Sequence, residues 1–319
     1  MLEKIYSIKI LGSILESLFG TLEARYLHDI NLNTSGSIEK GLKNVLDRWK
    51  DRIIVENNFS PIFVFSAGWR SGSTLVQRLI MSSGKYFIWG EPYGGAGIVE
   101  NMAEHFLAFS EIWPVETNFL TNFLVQNNGL ANIHNKWTAN VTPNIEDLIL
   151  SHRKFFETLF YKPIKEFFEG WGLKEVRLSF EYALYLNFLY PRSKFIFLVR
   201  NPIEAYRSYK RFRRWYVRIP KKPVFTPYAF GKHWDRLAKS FLEGKGKVSS
   251  ILLRYEDLVS RSDRVLNNLE NFLSLDINYD LLRKKVGSSK PETINLTLLE
   301  TVILKFVCKR TASLLGYNL

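Results

Sequence analysis

One cysteine, Cys308, stands in 319 residues, so neither an intramolecular disulfide nor a zinc knuckle can be built. Stability must come from a packed core, and nothing in the cysteine usage points to an oxidising compartment. The five histidines, His28, His105, His134, His152 and His233, show no ligand spacing, which argues against a metal centre. No uncharged apolar run approaches the roughly 20 residues of a membrane span. Glu3, Lys4, Lys9, Glu16 and Glu23 interrupt the apolar start of the chain, and no small-residue cleavage site follows it. Ile8, Leu11, Leu15, Leu18 and Leu22 recur at helical spacing instead, predicting an amphipathic helix that lies on the protein. The chain has no internal repeat, no long linker and no GxSxG nucleophile elbow.

Positive charge is abundant: 44 Lys and Arg against 31 Asp and Glu leave +13. That surplus points to an anionic partner, whether phosphate, nucleic acid, membrane surface or acidic substrate. Residues 200–222 hold nine of the cations against Glu204 alone. This basic segment reads equally as a solvated helix face or as a recognition surface for a polyanion. Aromatic residues make up 15% and hydrophobic residues 46%, as expected of a packed globular chain.

Short apolar runs alternate with helical patterns. PIFVFSAG (61–68), KYFIWG (85–90), WGLKEVRL (171–178), KFIFLV (194–199) and SSILLRY (249–255) read as strands. Helices are expected at 38–50, 74–81, 180–189, 203–215 and 228–242, with mostly helical chain over 96–168 broken near Pro114, Asn127–Gly129 and Pro143. This alternation predicts an α/β fold: a central parallel β-sheet of P-loop type with helices on both faces, an N-terminal helical extension (1–50) and an inserted helical region (96–168), all in one domain. Ligands of such sheets bind at the C-terminal ends of the strands, here just after residues 66, 90, 175 and 199.

Four segments fall at those ends. In SAGWRSGSTLVQRLI (66–80) a buried strand empties into a loop with Gly68, Trp69, Arg70, Ser71 and Gly72, and Ser73 and Thr74 open a helix. Such a loop can aim successive N–H groups at one anion, helped by the helix dipole. No Lys follows Gly72, so the nucleoside-triphosphate form of the loop is not matched. In FIFLVRNPIEAYRSYK (195–210) Arg200 ends a strand and Ser208 lies eight residues on. Both can reach one phosphate, though a surface arginine on an ordinary helix has the same pattern. Glu91, in WGEPY, is suited to accept a proton or to cap a helix. Lys174, in WGLKEVR, is costly to bury in a central strand unless it meets an anion. Beyond the fifth strand, Tyr255 of LLRYEDL can stack at the site or belong to the core.

Together these segments resemble the sulfotransferases that use 3′-phosphoadenosine 5′-phosphosulfate (PAPS), most closely the carbohydrate and tyrosylprotein branches. GWRSGST is similar to their 5′-phosphosulfate loop, GEP to the segment of the catalytic glutamate, and LVRNPIEAYRS to the 3′-phosphate motif. GLKEVR resembles the strand that supplies a catalytic lysine, and RYEDL and the terminal LLGY are shared with the superfamily. The resemblance implies PAPS as co-substrate, its desulfated form PAP as product, and no metal. It implies Glu91 as general base and Lys174 as second catalytic residue. Gly68, Trp69, Arg70, Ser71, Gly72, Ser73, Thr74, Arg200, Ser208 and Tyr255 would form the cofactor site, with Arg70 also expected near Glu91. The acceptor would be a sugar, a small natural product or a peptide, not a nucleic acid. The Golgi anchor of some family members has no counterpart here, so a soluble, bacterial-type cytoplasmic enzyme without a membrane span is expected. Phe106, Phe109, Trp113, Phe119, Phe123 and Trp137 suggest a ring-bearing acceptor, or simply packed helices. A P-loop kinase or NTPase, and a basic nucleic-acid-binding protein, are the alternatives.

Overall fold

Five short segments are rich in β-branched and aromatic residues and almost wholly apolar, as strands buried on both faces must be. In the computed structural model they form one all-parallel sheet. Its strands are β1 (Ile62–Ser66), β2 (Tyr86–Trp89), β3 (Gly170–Glu175), β4 (Lys194–Val199) and β5 (Ser250–Arg254), in the order β2-β3-β1-β4-β5. The structure describes residues 37–53, 59–129, 131, 133–216, 224, 226–283 and 294–319. The amphipathic helix expected around residues 8–22 lies outside these, as do residues 217–222 of the basic segment. The predicted sheet and its flanking helices are what the structure has, with strand ends within three residues of expectation.

Side chains alternate across the sheet with period two, giving each face its own core. Phe63, Phe65, Trp171, Leu173, Phe195 and Phe197 make one face aromatic. Helices α1 (Ser37–Trp49), α6 (Phe180–Leu189) and α8 (Pro227–Glu243) add Val45, Tyr185 and Trp234 to that core. The opposite face is aliphatic, from Ile62, Val64, Ile88, Ile196 and Leu198. Helices α2 (Ser73–Met81) and α10 (Asp263–Leu273) cover it with Val76, Leu79, Leu266 and Leu269. At the centre, Gly172 of β3 lies so close to β1 that a Cβ there would fall 1.9 Å from the Ile62 carbonyl oxygen.

The inserted region is helical with breaks near Pro114, Asn127–Gly129 and Pro143, as predicted. Its α-helices are α3 (Ile98–Glu104), α4 (Leu120–Gln126) and α5 (Ile145–Phe156), joined by 3₁₀ turns and continued by one π turn at Glu157–Tyr161. Asn127, Asn128, Gly129 and Pro143 favour turns over helix, which stops propagation between α4 and α5. This region is tied to the preceding helix. Asn44 donates to the Phe109 carbonyl at 2.9 Å and Arg48 to that of Ser110 at 3.0 Å. Arg52 pairs with Glu116 at 3.2 Å and Glu146 at 3.0 Å. Three further helices complete the described chain: α7 (Pro202–Tyr216), α9 (Tyr255–Val259) and α11 (Leu298–Leu314).

Candidate active site

The loop after β1 is shaped by backbone that few side chains tolerate. Gly68, Arg70 and Gly72 have φ of 80°, 64° and 92°, all in the left-handed region. Gly72 is also sterically required: a Cβ there would sit 2.3 Å from the Tyr255 ring. The Ser71 hydroxyl is buried and donates to the Ala67 and Gly68 carbonyls at 3.0 and 3.1 Å, so it braces the loop from within. Trp69 is buried too, its indole stacked on His233 at 4.5 Å between centroids. Ser73 is buried and Thr74 exposed at the first turn of α2, where free helical N–H groups collect. Loop and helix start therefore present backbone donors more than side chains.

The end of β4 closes on this loop. Arg200 donates through Nη1 to the Arg70 carbonyl at 2.8 Å, and its guanidinium lies 4.4 Å from the Tyr255 ring centroid. Its Nε is buried and meets no acceptor among the described residues. The Arg70 Nε donates to the Ser208 hydroxyl at 3.0 Å, joining loop to α7. Glu256, one residue past Tyr255, accepts from the Asn201 amide at 2.9 Å and from the Tyr317 hydroxyl at 2.8 Å. RYEDL and LLGY thus meet beneath the arginine. Glu256 and Tyr317 were not singled out from the sequence, because their partnership spans 61 residues and involves one ordinary carboxylate.

On the other side of β1, Glu91 follows β2 and Lys174 stands near the end of β3. Adjacent strands bring them together, and the Lys174 ammonium donates to Glu91 Oε1 at 2.8 Å. Lys174 thus gives Glu91 a cation at hydrogen-bond distance, while the Arg70 Nε reaches the Ser208 hydroxyl. Lys174 is buried and Glu91 nearly so, which explains how a lysine is accommodated in a central strand. A second pair supports the first. Arg177 donates to Glu175 at 3.2 Å and to the Gly94 carbonyl, three residues past Glu91. Burial pushes the Glu175 carboxyl up to about 7, with Arg177 opposing and Glu100 and Glu91 adding to the rise.

Of the aromatics in the inserted region, Phe106, Phe119 and Phe123 belong to the core, whereas Trp113 and Trp137 are exposed. His105 and His152 do meet, at 3.2 Å, with Tyr185 at 2.8 Å from His152. Burial, and then His105, lower His152 to about 4, which keeps it neutral. Among the described residues no group of three His, Cys, Asp or Glu side chains could hold a metal ion, and no helix is long and apolar enough to cross a membrane.

An anion-facing loop at the end of β1, an arginine at the end of β4 and a Glu–Lys pair across β2 and β3 define a site for transfer of an anionic group. Residues 61–279 match the sulfotransferase family, and the chain belongs to that family. Its reaction is sulfuryl transfer, which sets aside the kinase and nucleic-acid-binding alternatives. The chain is similar to the sulfotransferase domain from the Synechococcus PCC 7002 olefin synthase, with 18% identity over 83% of this chain and 98% of that one and a TM-score of 0.45. It is also similar to the sulfotransferase domain from the curacin biosynthetic pathway, with 18% identity over 83% of this chain and 100% of that one and a TM-score of 0.47. A sulfotransferase from Alicyclobacillus acidocaldarius shares 14% identity over 81% of this chain and 97% of that one, with a TM-score of 0.42. No curated protein matches the chain.

Proposed function

We propose that this sulfotransferase draws its sulfuryl group from PAPS and passes it directly to a hydroxyl or amine of a sugar or small natural product. The observation that carries the donor assignment is Arg200: one arm is fixed on the Arg70 carbonyl, while its buried Nε has no acceptor among the described residues. A buried guanidinium N–H without an acceptor is costly, and a phosphate beside it would satisfy it. The backbone amides of residues 68–74 and the start of α2 would hold the 5′-phosphosulfate. Arg200 and Ser208 would hold the 3′-phosphate, beside Tyr255. When bound, the donor supplies an activated sulfuryl group on a phosphosulfate linkage.

The chain's own residues divide the remaining work. Glu91 takes the proton from the acceptor as general base. Lys174, with three donors, can keep one on Glu91 and aim another at charge developing on the leaving oxygen, an interaction that counts chiefly in the transition state. Arg177 and Glu175 hold the turn that carries Glu91. No metal is required by this division. A single buried cysteine fits a reducing cytoplasm.

Thermal shift with PAP, ATP·Mg²⁺ and an oligonucleotide tests the donor. PAP at 100 times its Kd should add roughly 2.7 kcal/mol of stability. Stabilisation by ATP·Mg²⁺ or oligonucleotide without any from PAP would overturn the assignment.

A further inference from the structure

Helix α11 is fixed along one side and bare along the other. Leu304, Cys308, Thr311 and Ala312 are buried, and Cys308 lies against the Gly231 carbonyl of α8 at 3.6 Å. Half a turn away, Leu298, Leu299, Val302 and Phe306 are 82%, 69%, 53% and 85% exposed. At 100° per residue they share one face, centred opposite the buried one. Large apolar side chains clustered in this way are unusual on a protein surface and mark an interaction site. The chemistry around the patch is basic: Lys305 and Arg310 flank it, Lys309 continues it, and all three are exposed. The acid near its start, Glu300, is engaged by the capping box with Thr297 and by Lys210 at 2.9 Å.

An apolar helix face bordered by cations fits an interface of acyl chains below anionic headgroups. A second copy of the chain fits less well, since a two-fold contact here would set Lys305, Lys309 and Arg310 against themselves. We infer that the exposed face of α11, with Lys305, Lys309 and Arg310, docks the enzyme on an anionic lipid surface.

Co-sedimentation of the full chain with vesicles tests this directly and needs no turnover. Vesicles of phosphatidylcholine with phosphatidylglycerol should carry the protein down, those of phosphatidylcholine alone should not, and added salt should weaken the binding. The double variant Val302→Asp, Phe306→Asp should lose binding at least tenfold. Each of Lys305→Glu, Lys309→Glu and Arg310→Glu should weaken it roughly fivefold or more. These positions are exposed, and an unchanged melting temperature in the absence of vesicles verifies that the fold is retained. Equal partition onto both vesicle types, no binding at all, or binding indifferent to the Asp variant would overturn the inference. So would a dimer in light scattering that the Asp variant dissolves, which would assign the face to a second copy.

Discussion

The two corners of the strand edge are held in different ways. At the β1–β4 corner, cations are fixed by neutral partners: Arg200 on the Arg70 carbonyl and the Tyr255 face, and Arg70 on the Ser208 hydroxyl. Under the proposed function the Arg200 charge there meets an incoming anion. At the β2–β3 corner the cations are fixed by carboxylates, Lys174 on Glu91 and Arg177 on Glu175. On the same proposal the first corner binds and the second reacts, and substitutions should separate the two.

The largest effect is expected at Glu91. Glu91→Gln should cut kcat by ~10²–10⁴-fold, the usual worth of a general base, with PAP affinity nearly intact. Turnover close to wild type would move the base to another group, such as Glu104. Lys174→Ala should lower kcat by about 10²–10³-fold, typical for removal of one transition-state donor, with a modest loss in donor affinity. If only KM changed, the lysine would be a binding residue and the contrast between corners would fail.

Glu175 offers a test through stability. Its folded pKa is raised from 4.5 to about 7, so between those values the folded state keeps a proton that the unfolded chain has lost. Stability should therefore fall as pH rises from 4.5 to about 7 and level off above. The size is about 3 kcal/mol, from 1.36 kcal/mol per pH unit. Urea melts across this range should show the decline in wild type and not in Glu175→Gln; parallel curves would remove Glu175 from the account. Smallest is Arg200→Ala, which should weaken PAP binding by about 1.5–3 kcal/mol, the range for hydrogen bonds to a charged group. Binding of adenosine 5′-phosphosulfate, which lacks the 3′-phosphate, should hardly change in the same calorimetric titration. Equal losses would make Arg200 a structural residue.

The strands were legible because a parallel strand covered on both faces is apolar almost throughout, as IFVFS and KFIFLV are apart from one terminal residue each. The loop of residues 68–74 was legible through its glycines and its place between strand and helix. Strand order was not, since periodicity says which residues are buried and nothing about which strands are neighbours. The partner of Lys174 was hidden for the same reason: its nearness to Glu91 depends on β2 and β3 being adjacent, with 83 residues between the two side chains. His105 and His152, 47 residues apart, give no spacing signal at all.

The separation of β2 from β3 along the chain has a thermodynamic side. The two strands are hydrogen-bonded neighbours, yet all of α3, α4 and α5 lies between them. The entropy of closing such an excursion grows only with the logarithm of its length, so doubling it would cost about 0.6 kcal/mol more. Residues can be added or removed in the turns between α3 and α5 at almost no cost to the sheet, provided Phe106, Phe156 and Phe160 keep their places in the core. Glu91 precedes those turns and Lys174 stands at the far end of β3, so neither depends on their length. A lineage can therefore vary these turns while keeping the Glu91–Lys174 pair.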